Sequence, residues 1–138
     1  MNENVVLRVF SKLLIPFILL FGLYVQTHGD YGPGGGFQAG VIFASAFVLY
    51  GLVFGIGNAR RVVPPRLTLI LSASGVLIFA GVGVAAMLMG GNYLEYAAFA
   101  DGTATGNHVG IWLVEIGVGV TVSAVMIAIF TSFAGRPR

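Results

Sequence analysis

Glu115 is the one acidic residue set inside a long apolar stretch of this 138-residue chain, and it is where chemistry could turn. Read as a helix beginning near residue 109, the stretch puts Glu115 about 9 Å from the helix end at 1.5 Å per residue. That is about a third of the way through a ~30 Å hydrocarbon core. A carboxylate there is costly unless it is paired, protonated or wet, and intramembrane acids commonly mark proton or cation paths. The competing reading is a hydrogen bond or ion pair that locks helices together. If the helix starts near Asn107, then His108, Trp112, Glu115 and Gly119 share one face, with Gly119 leaving room beneath the carboxylate. His108 then sits at the mouth, roughly 10 Å above Glu115, where a titratable imidazole suits a short proton or cation path through water. Alternatively, His108 is an interfacial side chain and Trp112 an aromatic anchor.

The second candidate is His28-Gly-Asp-Tyr-Gly-Pro-Gly-Gly-Gly-Phe-Gln38, which joins two apolar stretches. Gly34, Gly35 and Gly36 can take backbone angles closed to other residues. Pro33 fixes its own φ and pushes Gly32 away from the helical region. The segment reads as a stiff, non-helical lead-in to a membrane helix, a backbone tolerated at membrane depth only beside protein or a water-filled cavity. His28 and Asp30 flank its opening. Asp30 could cap the following helix or bond free amides of the turn, or stand at a cation entrance. Phe37 is expected to pack the turn against a neighbouring helix, and Gln38 to satisfy exposed backbone groups.

Four apolar stretches, at about 9–26, 37–56, 67–89 and 109–133, must position these residues. Each is long enough as a helix to cross a hydrocarbon core, which takes roughly 20 residues. The composition agrees: 57% hydrophobic and 9% charged, against about 25% charged in soluble domains. The expected fold is therefore an all-α integral membrane protein, a single domain over 1–138 with four transmembrane helices. No strand alternation points to a β-barrel. Arg8 and Lys12 precede the uncharged apolar run of the first stretch, but no small-x-small cleavage site follows it, which argues against a signal peptide.

Charge sets the orientation. Every Lys and Arg lies at the N-terminus, between 57 and 66, or at the C-terminus, whereas the other two loops carry Asp30, Glu95 and Asp101. The positive-inside rule then places both termini in the cytoplasm. The same clustering at helix ends accounts for the net charge of +2 without nucleic acid. With no cysteine, two histidines and no carboxylate cluster, neither a metal site nor a cofactor is expected. Gly36-x-x-x-Gly40, Gly51-x-x-x-Gly55 and Gly81-x-x-x-Ala85 are small-residue pairs that allow close helix approach, either within this chain or against partner subunits. A lone acid within the spans is too few charge stations for a self-contained pump, and no nucleophile–base set marks an enzyme.

His28-Gly-x-x-x-Pro-Gly-Gly-Gly-Phe-Gln-x-Gly40 resembles a signature of the MnhB/MrpB family, membrane subunits of the Mrp-type multisubunit cation/proton antiporters. Asn107-His-Val-Gly-Ile-Trp-Leu-Val-Glu-Ile-Gly-Val-Gly119 is similar to that family's second signature. Relatives often carry His at position 30 and Ser at 32, where this chain has Asp and Gly. The resemblance implies a non-enzymatic, multi-pass subunit in the cell membrane of a prokaryote. It would assemble with the other Mrp subunits (A, C, D, E, F and G) to exchange cytoplasmic sodium, sometimes potassium or lithium, for external protons. Related subunits occur in membrane-bound hydrogenases, so a redox-driven complex and a purely structural spacer stay open as alternatives.

Overall fold

The computed structural model describes residues 4–29, 32–99 and 104–136. Five α-helices run in order: α1 Val5–His28, α2 Gly36–Phe54, the short α3 Ile56–Val62, α4 Pro65–Leu88 and α5 Ala104–Ala134. A 3₁₀ turn, Tyr96–Phe99, precedes α5, and the described residues contain no strand. α1, α2, α4 and α5 are each long and apolar enough to cross a membrane, which bears out the four-span reading.

Two boundaries differ from expectation. Span two ends at Phe54, because Gly55 turns out of the helix at φ 92° and ψ 149°. Gly55 therefore terminates α2 and is not the second half of a packing pair. α5 starts five residues before 109, at Ala104. Its N-terminal end is braced by the 3₁₀ turn, where the Tyr96 ring packs on Gly110 so closely that a Cβ there would overlap it.

The long helices stand in a row, α1–α2–α5–α4. α5 packs along α4 on one side and α2 on the other, α1 packs on α2, and α1 touches α5 only lightly. Small residues make the seams: Ala39, Ala44, Ala46, Ala86 and Ala124 are all buried. At Gly75 a Cβ would stand 2.6 Å from the Gly117 carbonyl oxygen, so α4 and α5 meet backbone to backbone. Hydroxyl groups in the seams are satisfied locally. Ser123 Oγ donates to the Gly119 and Gly40 carbonyls at 2.7 and 3.1 Å, and Thr121 Oγ1 to Gly117 O at 2.9 Å.

The basic end is held by Ala44, Phe47, Ala59 and Ile127, flanked by Tyr50, Val63 and Phe130. There Arg60 Nη2 donates to Thr131 O at 2.9 Å, tying α3 to the last turns of α5. Most large apolar side chains point outward, among them Leu20, Leu69 and Leu77. A helix row apolar all round has no inside to hide in, and fits lipid and other membrane helices.

Candidate functional site

The two motifs meet. The carboxylate of Glu115, on α5, lies against the glycine turn that joins α1 to α2. A Cβ at Gly29 would stand 2.9 Å from both Glu115 carboxylate oxygens, and one at Gly35 would stand 2.9 Å from Oε1. One step on, a Cβ at Gly36 would overlap the Glu115 backbone carbonyl oxygen. Gly36 is fixed by the Glu115 backbone and Gly29 by the Gly35 Cα, 2.8 Å from its Cβ position, whereas the Glu115 carboxylate end could shift.

Gly35 is required by its backbone. It is the N-cap of α2 at φ 125° and ψ −176°, a region essentially restricted to glycine. Having no side chain, it caps nothing itself, although its carbonyl accepts from the Ala39 amide at 3.0 Å. The first-turn amides of a helix lack intrahelical acceptors, and the helix dipole adds partial positive charge. A carboxylate at that point is where such an end favours an anion. The sequence thus places the carboxyl group of α5 beside the start of α2, with glycines at the positions where a Cβ would crowd it.

Two amide side chains complete the surroundings. Gln26, near the end of α1, brings Oε1 to 2.8 Å from the position a Gly119 Cβ would take, where Gly36 O lies at 3.1 Å. Its Nε2 is buried without a hydrogen-bond partner among the described residues. Gln38 Oε1 stands 3.8 Å from the Gly35 Cβ position. Gln26 Oε1 and Gly36 O thus meet beside Gly119, one helical turn from Glu115, while the exposed Gln38 shares the neighbourhood of Gly35 with the carboxylate. Such oxygens suit a hard cation or a proton held through water.

The predicted residues divide between those brought together and those set apart. Glu115, Gly35, Gly36, Gly40 and Gly119 share the α2–α5 seam, where a Gly40 Cβ would stand 2.8 Å from Gly119 O. The Gly36-x-x-x-Gly40 pair therefore serves packing inside this chain. His28 stacks on Tyr24, centroids 5.2 Å apart, and its Nε2 would meet a Gly32 Cβ at 2.9 Å. Gly34 approaches the Val25 carbonyl, and Pro33 is exposed. Asp30 lies outside the described residues.

Two expectations change. Phe37 does not pack the turn within this chain: it is 60% exposed, because α2 buries Gly36, Ala39 and Gly40 and turns position 37 outward. Glu115 lies 11 residues below the first residue of α5, about 16 Å rather than 9 Å. The glycine turn thus stands one step below the N-terminal end of α5. Above that step the continuous helix carries Trp112, which is 45% exposed, and exposed His108. His108 rises roughly 10 Å above Glu115, as the spacing predicts.

Gln26 and Gly29 are site residues that sequence reasoning missed. Gln26 had a signal: it is the one amide near the end of an otherwise apolar span, where a polar group needs a reason. Gly29 had one as well, as a fixed position of the His28-Gly-x-x-x-Pro-Gly-Gly-Gly signature.

The chain matches the family model described as a domain related to the MnhB subunit of Na+/H+ antiporter, over residues 6–128. This chain belongs to the MnhB family. A relative in Staphylococcus haemolyticus (strain JCSC1435), named "Putative antiporter subunit mnhB2", is 34% identical over 98% of both chains. One of the same name in Staphylococcus aureus (strain Newman) is 35% identical, again over 98% of both. MnhB membership covers the described site as a whole, since both the glycine turn and Glu115 fall within the matched residues.

Proposed function

We propose that this chain is the MnhB-type membrane subunit of a multisubunit antiporter that exchanges cytoplasmic Na+ for external H+. It forms a single membrane domain over residues 1–138 in a prokaryotic cell membrane. Both termini face the cytoplasm, and its companions are the other Mrp subunits, A and C to G. The observation that carries the reading is the Glu115 carboxylate seated between Gly29 and Gly35 at the start of α2. Family membership supports the complex, and the outward apolar surface supports close partners and lipid.

A carboxylate can hold a proton or help to hold a sodium ion, and the two compete for the same lone pairs. Mutual exclusion at one group is the simplest requirement of exchange. The start of α2 keeps the carboxylate acceptable as an anion between the two occupancies. Gln26 and Gln38 supply neutral oxygens that add affinity without fixing the charge. His108, about 10 Å above Glu115, would pass protons between it and the outer water through intervening water molecules.

Glu115→Gln keeps the shape of the side chain and removes its charge. Sodium-dependent proton movement in everted vesicles is expected to fall at least about tenfold while the complex assembles normally. Unchanged exchange at normal subunit levels would refute the role of Glu115. Lost assembly, with exchange per assembled complex preserved, would leave Glu115 as a helix lock.

A further inference from the structure

A cleft of about 570 Å³ runs down one face of the helix row, lined by α1, α2 and α5 with Leu71 of α4. Its α1 wall is Ile15, Leu19, Leu23 and Gln26, and Tyr50 and Val62 line its basic end. The wall is nearly all apolar: Ser123, the one hydroxyl in it besides the Tyr50 phenol, already donates to two backbone carbonyls. From Ile15 to Gln26 the cleft follows α1 for 11 residues, about 16 Å. That is about half of a ~30 Å hydrocarbon core, or one leaflet.

The mouth has a charge. Arg8 and Lys12 lie on the helix face that continues the Ile15–Leu19–Gln26 line by the 3.6-residue period. Their charged ends sit 5.4 and 5.7 Å from the centre of the Phe54 ring, and Phe54 packs against Tyr50 of the cleft at 4.9 Å. The described carboxylates are Glu95 and Glu115, in the outer loop and at the glycine turn, so neither is at this mouth. Two cations at the opening of a one-leaflet apolar slot match one ligand in both parts. We propose that the cleft holds an anionic phospholipid of the leaflet at the basic end, an acyl chain along α1 and the headgroup phosphate between Arg8 and Lys12. Ammonium and guanidinium groups at a membrane surface attract such headgroups, and acyl methylenes gain by leaving water or replacing void.

Two measurements on the assembled complex decide the matter. Lipid carried through mild detergent purification is quantified for the wild type, for Arg8→Ala/Lys12→Ala and for Leu19→Trp, which fills the cleft. Bound anionic phospholipid, enriched over the bulk membrane, should drop about 10-fold or more in the double variant, as expected for two surface cations. It should drop as far in Leu19→Trp. Equal recovery in all three, or no enrichment over zwitterionic lipid, overturns the proposal. Where a variant fails to assemble, a photoreactive phenylalanine analogue at position 19 is irradiated in native membranes. A phospholipid adduct supports the assignment, and an adduct to another polypeptide overturns it by showing that a partner helix fills the slot.

Discussion

Glu115 owes its place to residues that have no side chains. A methyl group at Gly35 would meet Oε1 and force a non-glycine residue to φ 125°, a strain of about 1–3 kcal/mol. Gly35→Ala should therefore lower the midpoint of thermal unfolding of the purified complex and reduce exchange, whereas a silent variant would contradict the geometry. Glu115→Asp keeps the charge but withdraws it by one methylene from the start of α2. It should retain partial exchange with a raised half-saturating sodium concentration, and wild-type kinetics would show that the fit is unimportant. Both positions stood out in the sequence, one as a lone acid and the other inside a glycine run. Their contact did not, because it depends on how far α5 extends above the turn. Five additional helical residues at its N-terminal end moved Glu115 from an expected 9 Å to about 16 Å below the helix end.

At the level of elements, the close seams are α2 with α5 and α5 with α4, and each has a glycine that admits nothing larger. Gly36→Ala would set a methyl group onto the Glu115 carbonyl oxygen, and overpacking of this kind costs about 1–3 kcal/mol. The subunit should be depleted from membranes by quantitative immunoblot, and normal levels would count against the seam. Gly81 meets open space within this chain. Gly81→Ala should be neutral or stabilising by about 0.5–1 kcal/mol through helix propensity, unless a partner helix lies on that face. Spacing alone made Gly36, Gly51 and Gly81 equivalent. The structure separates them by what each one faces, and gives Gly55 to helix termination. Phe37 shows the same limit: its apolar character was legible, but not the side of α2 on which it falls. Arg60 illustrates a signal that charge counting concealed, since a residue read as an orientation marker also donates to Thr131 O. Arg60→Met should cost about 0.5–1.5 kcal/mol, seen as earlier thermal unfolding.

Across the whole molecule, four spans and their limits were readable within a few residues because apolar length is the strongest signal a membrane chain offers. The order of the row, with α5 between α2 and α4, was not readable, since all four helices are apolar on every side. The orientation proposed from the distribution of charge is open to direct test. The chain has no cysteine, so single cysteines at exposed Asn58 and Asn92 can be labelled with a membrane-impermeant maleimide. In intact cells position 92 should react and position 58 should not, with the pattern reversed in everted vesicles; the opposite result would invert the topology. The central claim is that one carboxylate, seated in a glycine turn, handles the transported ions. Sodium-driven proton exchange in everted vesicles carrying Glu115→Gln tests it most directly, with the amount of assembled complex measured in parallel. The account predicts a loss of about tenfold or more at unchanged assembly, and full exchange by a fully assembled variant would contradict it.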